Sequence, residues 1–459
     1  MNSAVCDRIV RLGGGFANWG NYKVKRFNII GSFTLALVAT AVATSAHAQS
    51  ASGSVLIDTA IPPDFDKGRN VSVQEKARPD YDPLGINVGS LNVFPSLSTY
   101  AGLTDNVLLS GSNRDTDGFA GISPALRVES DWNRHQLRAR ARGDFQRFFS
   151  TPRRNQNNWD LGVLSRLDVR SDIAVTPEFQ IGRIYETPFS GGIQSDFTVL
   201  SSYLRTYAAL RGSYQAGQAR TTLAFDWTNL DFSTINVGNG TIRSQRDRNR
   251  EAWRVTGQVE YALTPSATVF GQLGYERVDY DNLLLSGAPN RSSDAVRFLA
   301  GMNLDLAGLL RGSIGVGYTH RKYDTPSLYP TLDGFAAQVR LEYFPSELTT
   351  LSLSASRTIE DSNILGTTGY FDNRIRAQID HEMLRNLILS GSVDYSHQNY
   401  VGTNLKNDVV GVRGQARYLA NRRLNLNSTI SYTSRNRNGA GLGSDFDEFR
   451  VLFGATLQY

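Results

Sequence analysis

Residues 253–261 read Trp253-Arg254-Val255-Thr256-Gly257-Gln258-Val259-Glu260-Tyr261. Trp253, Val255, Gly257, Val259 and Tyr261 share one parity; Arg254, Thr256, Gln258 and Glu260 share the other. Successive side chains of a strand point to opposite faces, so this stretch builds a strand with one apolar and one wet face. The pattern recurs outward in both directions. In Leu137-Arg138-Ala139-Arg140-Ala141-Arg142-Gly143-Asp144-Phe145 the polar or charged residues fall on every second position, and Phe449 to Tyr459 alternates in the same way. From about Ser90 to Tyr459 the chain repeats such runs, each followed by a turn.

A soluble sandwich would alternate too, and the connections decide between the two. The reading gives eighteen strands whose links alternate between tight and long. Tight links fall near Trp132-Asn133-Arg134, Arg170-Ser171-Asp172, Thr264-Pro265, Ala307-Gly308, Pro345-Ser346-Glu347 and Asn421-Arg422. Longer links rich in Gly, Asn, Ser and Arg fall near 106–117, 150–157, 188–199, 233–250, 281–293, 325–332, 361–369, 401–405 and 438–445. Short periplasmic turns, long external loops and an even strand number mark a bacterial outer-membrane barrel. The expected fold is therefore all-β: a transmembrane, antiparallel, up-and-down β-barrel of about 18 strands over residues 90–459. Aromatics near strand ends (Phe145, Phe148, Phe149, Trp159, Trp227, Phe232, Trp253, Tyr261, Tyr343, Tyr400 and Tyr418) are expected to form the interfacial belts facing outer-membrane lipid.

The beginning of the chain names the compartment. A basic stretch ending in Lys23, Lys25 and Arg26 precedes an uncharged apolar run from Ile29 to about Val42. Ala46-His47-Ala48 follows, giving the order of a secretory signal peptide cleaved between Ala48 and Gln49. The apolar run is too short for a membrane-spanning helix, which needs about 20 residues. The true start codon is expected downstream of Met1, because the stretch before the apolar run is long. Across the whole sequence 48 Lys and Arg face 43 Asp and Glu; residues 1–48 hold five of the former and one of the latter, so 43 face 42 afterwards. That balance gives no reason to expect a nucleic-acid partner. The single Cys6 lies in the leader, which leaves no disulfide or thiolate site. Residues 49–89 read as a flexible periplasmic segment, polar and containing proline.

Gly85-Ile86-Asn87-Val88-Gly89-Ser90-Leu91-Asn92-Val93-Phe94-Pro95-Ser96-Leu97, followed by Leu103-Thr104-Asp105-Asn106-Val107, resembles the opening of the second β-barrel porin family. Leu91 stands where that family more often carries an aromatic. The resemblance implies an outer-membrane barrel, several relatives of which are linked to export of extracellular polysaccharide beside a periplasmic export protein. The final strand, with Phe453, Leu457 and Tyr459 on one face, is similar to the signal read by the outer-membrane assembly machinery.

An eighteen-stranded barrel is wide enough for an aqueous channel. By parity its lining includes Arg138, Arg140, Arg142, Arg166, Arg254, Arg374, Arg376, Arg413 and Arg417, interleaved with carboxylates. The plainer expectation is a lattice of ion pairs in a wet lumen. The sharper one is that Arg138, Arg140 and Arg142, beside Arg166, contact an anionic polymer through guanidinium forks. The longest loop, 233–250, reads as too short to constrict the barrel fully. His135, His320, His381 and His397 do not assemble with a nucleophile, so no catalytic, cofactor or metal site is expected, and the chain is expected not to be an enzyme. Asp105-Asn106 with Asp115 and Asp117 reads as turn chemistry in preference to a Ca²⁺ site. The leading expectation is polysaccharide export; a general diffusion porin and a structural or adhesive surface barrel are the alternatives.

Overall fold

The computed structural model describes residues 71–189, 199–236, 242–362, 364, 366–439 and 445–459. The expected leader, 1–48, and its cleavage site at Ala48 and Gln49 lie outside the described residues.

A short strand, β1 (Ile86–Val88), forms a hairpin with β2 (Leu91–Thr104). Then follow β3 (Asp117–Ser130), β4 (Gln136–Phe148), β5 (Gln156–Arg170), β6 (Ile173–Tyr185), β7 (Ser202–Ala216) and β8 (Ala219–Phe232). A loop carries the two-residue strands β9 (Ile235–Asn236) and β10 (Ile242–Arg243). The chain continues through β11 (Arg250–Thr264), β12 (Ala267–Tyr280), β13 (Ser293–Leu306), β14 (Leu310–Tyr323), β15 (Leu332–Ser346) and β16 (Thr349–Asp361). It ends with β17 (Gly369–Leu384), β18 (Leu387–Tyr400), β19 (Lys406–Asn421), β20 (Leu424–Asn438) and β21 (Phe446–Gln458).

Among the described residues nineteen strands form one sheet; setting β1 aside leaves eighteen, each antiparallel to its neighbours. β8 pairs with β11 across the β9–β10 loop, and β21 pairs with β2 from Ser96↔Gln458 to Thr104↔Arg450, which closes the barrel. The closure is staggered, because β21 stops opposite Ser96 while β2 begins at Leu91. β1 takes the vacant edge below it, pairing Val88↔Leu91 to Ile86↔Val93, and Tyr459 N–H donates to Pro95 O at 3.1 Å between the two. An open edge there would present unpaired amides to other chains. The hairpin turns at Gly89, φ +64°, and at its open end Gly85, φ +73°, has no Cβ and so leaves room for the Phe94 ring.

Eight tight connections, at 131–135, 171–172, 217–218, 265–266, 307–309, 347–348, 385–386 and 422–423, lie at the end where β2 starts and β21 finishes. Ala307 and Gly308 both have positive φ, the backbone that tight hairpins require. The nine longer connections lie at the opposite, external end.

The register assigns every strand residue to a face. Leu103, Leu223, Val259, Leu273, Phe298, Phe335 and Leu457 belong to the outward set and are exposed, as a lipid-facing surface must be. Trp159, Trp227, Trp253, Tyr261, Tyr343 and Tyr418 share that face. Phe148, Phe232 and Tyr400 do not. They sit one residue out of phase with the outward set, point into the barrel and are buried there, so they are not belt residues.

Candidate functional site

The lumen has three tiers. At the periplasmic end, residues 71–82 depart from the flexible tail expected of 49–89. Two turns (Lys76 N–H to Ser72 O, 2.9 Å; Asp82 N–H to Arg78 O, 2.7 Å) compact this segment into an inner band. Val73 is buried against Ile388 and Leu419, and its N–H donates to Thr350 Oγ1 at 3.0 Å. Gln74 donates to Asp380 Oδ1 at 2.7 Å and accepts from Arg417 Nη2 at 2.8 Å. Arg311 donates to Glu75 at 2.9 Å; Arg78 donates to Glu382 at 3.1 Å, with Lys76 3.2 Å from the same carboxylate. Pro79 O accepts from Arg422 and Tyr81 O from Gln458. The strand partners all belong to the face opposite the lipid-facing set, so the band runs inside the barrel along β14 to β21. Partial burial raises the Glu75 pKa, but hydrogen bonds from Ser72 and Arg311 outweigh it and hold the carboxyl below its usual 4.5.

The middle tier is the polar wall. The register places Arg138, Arg140, Arg142, Arg166, Arg254, Arg374, Arg376, Arg413 and Arg417 on the inward face. Most have a carboxylate close by. Arg140 and Arg142 share Asp160 at 3.1 and 3.0 Å, Arg138 lies 3.7 Å from Glu129, and Arg166 donates to Asp168 at 2.8 Å. Arg254 approaches Asp226 at 3.6 Å, Arg374 pairs with Asp372, and Arg376 lies 3.4 Å from Asp394. Each pair is an interaction between neighbouring strands or between residues two apart on one strand. Arg138, Arg140 and Arg166 remain 54%, 46% and 59% exposed, so their guanidinium groups keep donors free to meet a passing solute.

Between β15 and β21 the wall has a further order that single-strand reading missed. The inward faces of β16 (Ser352, Ser354, Ser356), β18 (Ser390, Ser392, Ser396) and β20 (Asn427, Thr429, Ser431) carry hydroxyls and amides. The strands between and beside them carry arginine: Arg340 on β15, Arg374 and Arg376 on β17, Arg413 and Arg417 on β19, and Arg450 on β21. Across the sheet Arg340↔Ser354↔Arg376 and Ser392↔Arg413↔Ser431↔Arg450 are direct neighbours. The signal lies in hydroxyls that recur on every second strand, visible only once the register is known.

The outer tier is an inward-facing collar of aromatics and arginines. Phe119 packs at 5.5 Å from Phe148 with Arg450 stacked 4.5 Å above it. Phe232 packs on Tyr203, with Arg248 at 4.0 Å. Tyr370 packs on Tyr400 at 5.0 Å. Arginine faces over rings add modest attraction on top of the buried area. The connection 186–201 uses this collar. Phe189 packs on Phe446 at 5.1 Å, and Pro188 O accepts from the fully buried Arg435 at 3.1 Å. The connection leaves β6 yet rests on β20 and β21, so its first residues reach over the lumen. Loop 233–249, read from the sequence as the longest and too short to constrict the barrel fully, braces the 186–201 connection: Arg248 holds Glu186, and Gln245 donates to Ser201 at 2.9 Å.

The remaining polar candidates are spoken for locally. Asp105 accepts from Arg114 and from Phe449 N–H, Asp117 accepts from Ser150 N–H, and the described residues contain no cluster able to hold a metal ion. His381 is 2.9 Å from Thr349 and His397 2.8 Å from Asp408, both on the outward face.

Among known proteins, a family model described as "Putative beta-barrel porin 2" matches residues 78–459. The chain is similar in fold to the outer-membrane protein opdK of Pseudomonas aeruginosa (12% identity, 80% of this chain and 99% of that one, TM-score 0.42). It is likewise similar to a BenF-like porin of Pseudomonas fluorescens Pf-5 (10%, 81% and 100%, 0.43) and to the siderophore receptor PirA of Acinetobacter baumannii (7%, 80% and 80%, 0.43). No curated protein matches it.

Proposed function

This chain belongs to the beta-barrel porin 2 family, and from that premise we propose that it is an outer-membrane channel exporting an acidic polysaccharide delivered by a periplasmic partner. The observation that carries the reading is the alternation of arginine strands and hydroxyl or amide strands between β15 and β21. A sugar acid presents carboxylates, which guanidinium forks bind two oxygens at a time, and hydroxyls, which serine and asparagine exchange hydrogen bonds with. The exposed arginines at Arg138, Arg140 and Arg166 supply weak contacts that a polymer can leave, as throughput demands. Conductance with anion-selective reversal potential in a planar bilayer, and loss of secreted acidic polymer on deletion in the native host, are the expected results. Cation selectivity together with unchanged polymer secretion would sink the reading.

A second reading is a diffusion pore for small hydrophilic solutes. The approach of Phe189 to Phe446 favours it, because the first residues of the 186–201 connection, laid over the lumen, limit the size of what passes. Swelling of proteoliposomes in oligosaccharides of graded length separates the two: a sharp cut-off below a tetrasaccharide supports the diffusion pore.

A further inference from the structure

Arg321 and Glu276 face each other in a recess of the lumen wall near its outer end, on β14 and β12. Arg254, Arg297, Glu360, Thr256, Thr319 and Thr358 also line it. Arg321 is 2% exposed; its Nη1 donates to Asp361 at 3.1 Å, but its Nε and Nη2 have no hydrogen-bond partner, nor has Glu276 Oε1. Nη2 and Oε1 stand 3.8 Å apart. That is too long for a hydrogen bond and leaves two buried polar atoms unsatisfied, a costly arrangement.

We infer that this recess is a subsite for an uncharged sugar ring, with one ring hydroxyl bridging Arg321 and Glu276. A hydroxyl both accepts and donates, so a single oxygen can take a hydrogen from Nη2 and give one to Oε1. A carboxylate or phosphate there meets Glu276, and an ammonium group meets Arg321. The surroundings are within one charge of balance, since the three arginines Arg254, Arg297 and Arg321 face the four carboxylates Glu276, Glu360, Asp226 and Asp361. Thr256, Thr319 and Thr358 add hydroxyls that can serve the neighbouring positions of the ring. The inference rests on the channel reading and narrows it: the outer recess reads neutral residues of a saccharide, while the arginine wall below it reads acidic ones.

Titration calorimetry on the full chain in detergent micelles tests this with maltotriose as the neutral probe and trigalacturonate as the acidic one. Maltotriose is expected to bind, and Thr319→Val and Glu276→Leu are each expected to weaken it at least tenfold while the barrel stays folded by its heat-dependent gel mobility. If either variant fails to fold, Thr256→Val serves in its place. Absence of maltotriose binding overturns the inference and assigns the recess to water. Tighter binding of trigalacturonate that the same substitutions weaken also overturns it. Ion conductance of the same preparation tests the channel reading separately: conductance without sugar binding removes the subsite alone, and sugar binding without conductance removes the channel alone.

Discussion

Arg78 and Glu382 stand 304 positions apart in the chain and 3.1 Å apart in the lumen, both side chains at least nine-tenths buried. Arg78 Nη2 also donates to Val73 O at 2.8 Å, so one guanidinium ties the inner band both to itself and to β17. The pair makes the band part of the barrel wall.

Replacing Glu382 with Ala strands two cations, Arg78 and Lys76, at a site built for a carboxylate. Breaking a buried pair from one side costs about 3–5 kcal/mol, and water in the lumen moves this case to the low end. The band should detach in a large share of molecules. Trypsin cleavage after Lys76 should then speed up at least tenfold while the strands stay resistant; unchanged cleavage would show that the remaining contacts suffice.

Acid should loosen the same band. Glu75 has a folded-state pKa below its ordinary 4.5, so its contribution is complete above about pH 4.5 and is lost as pH falls through the lowered value. Protonation ends its ion pair with Arg311. Single-channel current should rise on acidification below pH 4.5, and the step should vanish in Glu75→Gln.

Converting Arg138, Arg140 and Arg142 together to Gln removes three positive charges beside Asp160 and Glu129 and leaves those carboxylates facing the lumen. Anion selectivity measured by reversal potential in a salt gradient should fall or invert, and flux of trigalacturonate into liposomes should drop several-fold. Stability should change little, since exposed ion pairs contribute about 0–1 kcal/mol each.

Phe189→Ala deletes the ring that rests on Phe446. An aromatic pair of this kind contributes about 0.5–1.5 kcal/mol beyond its area, enough to free the start of the 186–201 connection. Liposome swelling should then admit longer oligosaccharides than wild type; an unaltered size limit would mean that this connection does not restrict the mouth.

At the seam, Phe453, Leu457 and Tyr459 face outward, and Arg423 lies 5.4 Å from the Tyr459 ring. Tyr459→Ser combined with Phe453→Ser should slow barrel assembly, seen as a larger fraction of heat-insensitive, protease-accessible chain during pulse labelling.

How much of this was legible in the sequence depends on the distance over which each feature is encoded. Face assignment is local, so parity alone sufficed to put Arg254 and Arg376 opposite Val255 and Ile375. Six of the eight tight turns were legible from a Pro, Gly, Asn or Asp in or beside them. Those at 217–218 and 385–386 went unread, although Gly217 has the positive φ of a hairpin turn. Phe148, Phe232 and Tyr400 were misread because they were placed by nearness to a strand end, whereas parity, which runs unbroken to the outer ends of β4, β8 and β18, puts them inside. Ion-pair partners on other strands needed the register. The inner band and the inward reach of Phe189 were beyond reading altogether, since the contacts that make them, such as Gln74 with Arg417, join segments with no shared pattern.

The inner band lies along β14 to β21, while the exposed arginines of β4 and β5 line the other side of the lumen just above it. The periplasmic entrance is therefore eccentric and lined unequally, whereas the outer mouth is ringed by aromatics with arginines stacked on them. A pore with different fixed charge at its two ends does not pass current equally in both directions. The barrel should behave as a rectifier, and removing residues 71–82 should make its current–voltage curve more nearly symmetric.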